Sequence, residues 1–291
     1  MADLALIGLG PMGLPIARRL AAAEVPCLTW NRTPGRTPGH GSLQEVGSAA
    51  DAAAAVVLTV LPDLPQIEEI LVGPGGLLAG WARAEITQPV LVVHGTVSPT
   101  RIAEFADDLF LSHGVRMVDA PMSGGTIGAD AGTLTLMLGG DAAVIDALMP
   151  IFRHYATTIA RLGGVGAGSL GKACNQMIVA STVAAISEAV AVARRSDLDV
   201  DVLLTLIGGG LAGSEILRQK GIRWTNEDFA GGGSARNQLK DLGFALQAAD
   251  DVGLHLPMTT SARDLFRTMV KRGGGDLDHT GVYRTVMESP Q

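Results

Sequence analysis

Hydrophobic positions in the first half of the chain fall into short runs separated by longer segments of helical period. The runs at 4–7, 26–30, 56–61, 90–94 and 115–119 are rich in Leu, Val and Ile and read as strands. Between them, segments near 12–23, 63–72 and 98–112 space their apolar residues as helices do. Strand and helix in alternation imply a parallel sheet covered on both faces, because each crossover lays a helix against the sheet. Two further strand-like pieces, 133–138 and 158–162, flank a helical pattern near 141–153.

Beyond residue 161 the rhythm changes. Gly163-Gly164-Val165-Gly166 is a hinge-like stretch, and a helical pattern then runs from about 169 to 195, rich in Ala, Val and Ile. At ~1.5 Å per residue such a helix spans roughly 40 Å. It is apolar on more than one face, as expected of a helix central to a bundle or buried between subunits. The segments after it also read as helical. The expected organisation is an α/β domain over 1–162 and an all-helical domain over 163–291, joined by the long interdomain helix.

Composition narrows the functional classes. Nearly half of the 291 residues (47%) are hydrophobic, enough for sizeable cores without disulfides. The formal charge of −7 and the lack of a Lys/Arg cluster argue against a nucleic-acid partner. Two cysteines, Cys27 and Cys174, are too few for a disulfide framework or a paired-cysteine metal site, so no metal is expected. They suit a reducing compartment, and the opening MADLALIGLGPMG lacks a charged leader, so a cytoplasmic protein is expected. The long apolar stretches are broken by Gly, Pro or charge, and no membrane span is expected.

Chemistry enters at Gly8-Leu9-Gly10-Pro11-Met12-Gly13, a G-x-G-x-x-G between a strand and a helix. Gly8 permits the tight turn, Gly10 lets backbone approach a pyrophosphate, and Gly13 lets helix pack on strand. The helix start then turns its positive dipole end toward the phosphates. This context predicts a Rossmann-type doubly wound sheet that binds a dinucleotide. The next strand ends in Asn31-Arg32-Thr33, without the Asp or Glu that would bind a ribose 2′-hydroxyl. A carboxylate repels a 2′-phosphate and an arginine pairs with it, so NADP (NADPH) is expected over NAD. The plainer reading of Arg32 is a solvated turn residue.

Two other segments carry polar groups in suggestive order. Ser123, Gly124 and Gly125, after the strand ending at Asp119, offer a hydroxyl and unshielded N–H groups that suit a carboxylate; a tight turn would look the same. Lys172, Asn175 and Gln176 stand at i, i+3 and i+4 and share one helix face. They either meet one another and a ligand or reach to solvent.

These motifs occur in an order that resembles the β-hydroxyacid dehydrogenase family, over almost the whole chain. The phosphate loop is followed by Leu61-Pro62-Asp63, which resembles the family's adenosine-side loop, and by Gly95-Thr96-Val97-Ser98-Pro99, which resembles its turn beside the nicotinamide ribose. Asp119–Gly125 with Gly128, Ala129 and 132–134 resembles its substrate signature, Gly171–Asn175 its catalytic segment, and Lys240-Asp241-Leu242 its late lysine motif. The resemblance implies hydride transfer between NADP(H) and a small 3-hydroxy acid or semialdehyde. It implies Lys172 as acid/base, Asn175 orienting it or the substrate, and Ser123, Gly124 and Gly125 holding the carboxylate. It implies cofactor contacts from Gly8–Gly13, Asn31, Arg32, Thr33, Leu61, Pro62, Thr96 and Lys240, in a homodimer or homotetramer.

The chain also departs from the family. Gln176 stands where a second asparagine is common, and His94 where an acidic residue often is. His94 is a candidate acid or base, or a strand-end histidine with a satisfied ring. Cys174 reads as a small packing residue rather than a redox group. An imine reductase of the same superfamily or a non-catalytic NADP sensor would be expected to lack Lys172, and a phosphogluconate dehydrogenase would be longer. Arg218, Arg223, Trp224, Phe229 and Arg236 are candidate pocket neighbours in the helical domain.

Overall fold

The computed structural model describes residues 3–288. It divides into two compact units, residues 1–172 and 173–291. In chain order the first contains β1 (Leu4–Ile7), α1 (Gly13–Ala22), β2 (Cys27–Trp30), β3 (Leu43–Glu45), β4 (Val56–Thr59), α2 (Leu64–Leu71), α3 (Leu77–Arg83), β5 (Val90–Val93), α4 (Pro99–His113) and β6 (Arg116–Asp119). It continues with β7 (Met122–Ser123), α5 (Gly125–Ala131), β8 (Leu134–Gly139), α6 (Ala142–Phe152), β9 (Ala156–Gly163) and the start of α7 (Ala167–Arg195).

The strands form one sheet in the order β3-β2-β1-β4-β5-β6-β8-β7, with β9 paired to β8. From β3 to β6 every pairing is parallel. The chain winds outward from β1 through β2 to β3, then crosses back and winds the other way from β4 to β6. The reversal places a crevice at the C-terminal ends of β1 and β4, the usual ligand position in such sheets. The expectation of a parallel sheet holds for this part. β8, however, runs antiparallel to β6 and β7. Residues 124–133, with α5 among them, join β7 to β8, a link shorter than the dozen or more residues a parallel crossover needs.

Both faces of the sheet are covered, which is why its strands are apolar runs and not alternations. Leu4, Leu6, Leu58, Val92 and Val118 pack with Ile16 and Leu20 of α1 and Leu148 and Phe152 of α6. Their neighbours Ala5, Ile7, Val57, Leu91, Val93 and Met117 face the other way, onto Ile67 of α2, Trp81 of α3 and Ile102 of α4.

The second unit is helical: the rest of α7, then α8 (Val200–Gly208), α9 (Glu215–Asn226), α10 (Ala235–Asp251), α11 (Pro257–Lys271) and α12 (Val282–Met287). Its core gathers Val183 and Val190 of α7 around Trp224, Phe229, Leu242, Phe266 and Tyr283. By length and composition alone α7 would be apolar enough to cross a bilayer. Its buried side chains instead join this core.

The start of α7 is fixed by one side chain. Asp119, the last residue of β6, is fully buried and accepts hydrogen bonds from the Gly166 N–H at 2.9 Å and the Ser169 N–H at 2.6 Å. Gly139 and Gly168 make room for it, since a Cβ on either would collide with Asp119 or its surroundings. Removing the carboxylate would orphan two buried N–H groups at a helix start, at a cost of about 3 kcal/mol. Asp119→Ala should therefore lower the melting temperature by roughly 6–12 °C in calorimetry. A change below about 2 °C would show that the cap does not hold α7.

Candidate functional site

The loops that leave β1, β2, β4 and β5 lie at one edge of the first unit's sheet, because parallel strands end on the same side. Gly8 has φ +96°, a left-handed conformation that suits glycine. A Cβ on Gly8 would strike Val60, and one on Gly13 would strike the Gly8 carbonyl. A Cβ on Gly95 would strike the Leu61 carbonyl, so the loops carrying Leu61 and Thr96 run side by side. Beside Gly10 the space is open to 4 Å. These are the features a dinucleotide needs: a bare turn, a helix start behind it, and room for a pyrophosphate where a side chain would have been.

Asn31 ties this loop to the end of β2. Its Oδ1 accepts from the Leu9 N–H at 2.9 Å, and its Nδ2 donates to the Thr33 carbonyl at 2.9 Å. The Leu9 N–H is thus engaged within the chain, and the Leu9 side chain is buried. Arg32 and Thr33 are exposed, as are Pro11 and Pro62, while Met12, Leu61 and Thr96 are half-buried.

Ser123 is half-buried at the end of β7, opposite Thr135. Gly124 and Gly125 follow it, exposed, with φ +124° and +62°. Lys172 is buried. Asn175 and Gln176, further along α7 in the second unit, are half-buried. This face of α7 is not a solvated stripe. Asn175 Nδ2 donates to Gln176 Oε1 at 3.1 Å, and Gln176 Nε2 donates to Asp241 Oδ2 at 2.8 Å. Lys240 is half-buried, 3.7 Å from Asp241 and 5.3 Å from the centre of the Phe244 ring.

Several candidates prove to be structural. Trp224 and Phe229 are core residues; Trp224 Nε1 donates to Ser187 Oγ at 3.0 Å. Arg223 is held by the Asp228 and Ala230 carbonyls, Arg218 by Glu215, and Arg236 lies 3.5 Å from Asp276. Of the five, Arg218 also lines a cavity of this unit, with Leu204, Glu215 and Ile222, while Trp224 and Phe229 fill its core. Cys174 is exposed, so it is no packing residue within this chain. Cys27 is buried, and burial pushes its thiol up to about 12, against a weaker pull from the Leu6 backbone. Sequence reasoning also missed the helix-capping role of Asp119, which a strand-end position does not reveal.

His94 ends β5 in the buried interior. Its Nδ1 lies 2.7 Å from the Ala120 carbonyl and must donate to it, so Nε2 accepts from the Tyr155 hydroxyl at 3.1 Å. Tyr155 is itself fully buried. His94 is therefore the satisfied strand-end histidine and not a catalytic acid.

Comparison with known proteins agrees with this geometry. The family described as the NAD binding domain of 6-phosphogluconate dehydrogenase matches residues 3–164. The family described as NAD-binding of NADP-dependent 3-hydroxyisobutyrate dehydrogenase matches residues 166–286. The 2-hydroxy-3-oxopropionate reductase of Escherichia coli (strain K12) is 34% identical over 286 residues, covering 97% of this chain and 96% of that protein. The NAD-dependent L-serine dehydrogenase of Pseudomonas aeruginosa is 32% identical over 98% and 97% of the two chains. Among solved structures, a Mycobacterium tuberculosis 3-hydroxyisobutyrate dehydrogenase with L-serine superposes with TM-score 0.80 at 29% identity, covering 98% of this chain and 99% of that one.

Fold, phosphate loop and relatives together define an NAD(P)-dependent oxidoreductase. Within that class, the chain belongs to the β-hydroxyacid dehydrogenase family, alongside 3-hydroxyisobutyrate dehydrogenase and 2-hydroxy-3-oxopropionate reductase.

The His94 assignment has a measurable consequence. Burial holds its pKa down at about 4 from 6.5, against a smaller raising effect of its bond to Ala120. Below about 6.5 the unfolded chain takes up a proton that the folded chain refuses until about pH 4, so the contribution of His94 is lost as pH falls through that window. The loss amounts to roughly 3 kcal/mol. His94→Leu should be destabilised at pH 7 by about 1–3 kcal/mol, because it orphans Ala120 and Tyr155. Its deficit should shrink toward pH 4. Urea melts of both proteins across this range should show that convergence, and parallel curves would refute it.

Proposed function

We propose that the protein transfers hydride between NADP(H) and a small 3-hydroxy acid or the matching semialdehyde, with Lys172 as acid/base. The observation that carries this reading is Lys172 buried on α7, three residues after the capped turn that Asp119 holds. Buried lysines are rare without a task, and a positioned one suits proton transfer.

When bound, the nicotinamide supplies or accepts the hydride. In the oxidative direction Lys172 takes the hydroxyl proton, and in reduction it returns a proton to the carbonyl oxygen. Asn175 orients the reacting oxygen. The Ser123 hydroxyl and the Gly124 and Gly125 N–H groups hold the carboxylate. Gly8, Gly10 and Gly13 admit the pyrophosphate, with Leu9, Pro11 and Met12 completing the turn. Leu61, Pro62 and Thr96 line the nucleotide, and the family's late lysine motif assigns Lys240 a contact with it. The 2′-phosphate pairs with Arg32, flanked by Asn31 and Thr33. Three relatives act, by name, on 2-hydroxy-3-oxopropionate, L-serine and 3-hydroxyisobutyrate. These share a carboxylate with an oxygen on the third carbon, and that is the substrate class proposed here.

A homodimer or homotetramer is proposed as the working form. Ile178, Val192, Leu206, Leu211 and Ile222 are large apolar residues left exposed on the helical unit. Light scattering at micromolar concentration should read two or four chain masses, and a stable 30.0 kDa species would oppose this.

Two substitutions test the chemistry. Arg32→Asp should weaken NADPH by about 1.5–3 kcal/mol and leave NADH nearly unaffected. Equal kcat/KM for both cofactors in the unaltered protein would overturn the NADP assignment. Lys172→Ala should keep NADPH binding, read by fluorescence titration, and lose roughly 10²–10⁴ in kcat. Lys172→Arg should fail nearly as badly, because guanidinium does not release its proton. Retention of more than about a tenth of kcat in Lys172→Ala, with chemistry rate-limiting, would remove Lys172 from the role.

A further inference from the structure

Behind Asn175 the second unit contains a chain of polar side chains drawn from α7, α9, α10 and the turn before α12. Asn175 leads to Gln176, whose main-chain carbonyl accepts from Gln238 Nε2 at 3.2 Å. Gln238, only 2% exposed, has its Oε1 3.1 Å from His279 Nδ1. The Nε2 of His279 lies 2.7 Å from Lys220 Nζ, and Lys220 Nζ lies 2.6 Å from Asp278 Oδ2. Asp278 is fully buried and also accepts from the N–H groups of Gly233 and Thr280 and from the Thr280 hydroxyl.

The direction of every bond in this chain follows from groups that can only accept. The Gln176 carbonyl cannot donate, so the Gln238 amide must turn its NH₂ toward it and its oxygen toward His279. His279 must then carry a proton on Nδ1. Lys220, anchored by the Asp278 carboxylate, supplies its ammonium to the remaining ring nitrogen. Two positive charges do not stand 2.7 Å apart in a buried site, so Lys220 and His279 hold one proton between them. The Asp278 carboxylate, 2.6 Å from Lys220 Nζ and itself unable to donate, holds the proton on Lys220. At the other end the Asp241 carboxylate cannot donate either, so Gln176 turns its NH₂ to it and its oxygen to Asn175. The Asn175 NH₂ is thereby taken by Gln176.

We propose that His279 is a positioning residue for Asn175: the sense of hydrogen bonding set by Asp278, Lys220 and His279, and by Asp241, makes Asn175 present its carbonyl oxygen, an acceptor, to the reacting hydroxyl or ammonium. This rests on the proposed role of Asn175. The Lys220–Asp278 pair fixes the ring tautomer and the ring fixes Gln238, whose Oε1 also accepts from Gln176 Nε2 at 3.5 Å, so the sense of the Gln176 amide, and with it that of Asn175, depends on His279 as well as on Asp241. An acceptor in place of the His279 Nδ1 donor would draw the Gln238 NH₂ toward position 279 and set its oxygen against the Gln176 carbonyl.

Two readouts separate this from a structural role and from failure of the catalytic reading. The first needs no turnover. Long-range ¹H–¹⁵N spectra of the histidine rings at pH 7, with the His279 signals assigned by their loss in His279→Asn, should show a proton on Nδ1. A ring bare at Nδ1 would overturn the proposal whatever the enzyme does.

The second is kinetic. His279→Leu should lose at least tenfold in kcat while the NADPH dissociation constant stays within about twofold. His279→Asn, whose Nδ2 reproduces the Nδ1 donor toward Gln238, should recover most of that loss, and His279→Asp, an acceptor at the same place, should not. Equal kcat in the Leu and Asn variants, or a loss that tracks melting temperature across all three, would overturn it. If Lys172→Ala were fully active while the Nδ1 proton were present, the catalytic reading alone would fall.

Discussion

The carboxylate of Asp119 ties the parallel sheet to the start of α7. It terminates β6 and caps α7, so the last strand of the parallel run and the first turn of the longest helix share one buried anion. Burial raises its carboxyl above the usual range, and the N–H groups of Ser169 and Gly166 work against that rise. The positive end of the helix dipole favours the charged form as well. Lys172 therefore sits on a turn whose position is set by the sheet. A lysine on a free helix start could swing by ångströms, which proton transfer does not tolerate. The glycines at 139 and 168 are part of the same constraint, because the anion and the helix backbone approach more closely than any side chain would allow.

The same rule governs the polar chain in the helical unit. Buried amides there have no freedom of sense, since acceptor-only groups stand at both ends. A half-satisfied network would cost more than an apolar core, and a satisfied one holds its members rigid. Both arrangements use a buried carboxylate to position a group that does not touch it.

Much of the first unit was legible because burial on both faces turns strands into continuous apolar runs. The edge strand Leu43–Glu45 escaped, being three residues with two exposed, and so did Leu77–Arg83, where a glycine interrupts the helical pattern. The antiparallel turn at β7 and β8 was invisible because apolar period reports a strand and not its direction. The phosphate loop was legible because spacing and chemistry coincide there; the Lys172 face was not, because the same i, i+3, i+4 spacing suits a solvated stripe. His279 and Lys220 were not: 59 residues separate them, and neither sits in a motif. Trp224 and Phe229, candidate pocket neighbours from the sequence, fill the core, because an aromatic looks the same in sequence whether it lines a pocket or fills a core.

The end of β2 shows why an asparagine, and not a carboxylate, precedes Arg32. Asn31 performs two tasks of opposite sense, accepting from Leu9 and donating to Thr33. An aspartate could do only the first. It would also set a negative charge next to the turn that Arg32 occupies, weakening any anion bound there. The amide thus closes the phosphate loop against β2 while leaving the local charge to Arg32, which is exposed. Loop geometry and local charge are therefore set by adjacent residues. For that reason, exchanging Arg32 alone should alter which anion is favoured without disturbing the turn that Gly8, Leu9 and Asn31 build.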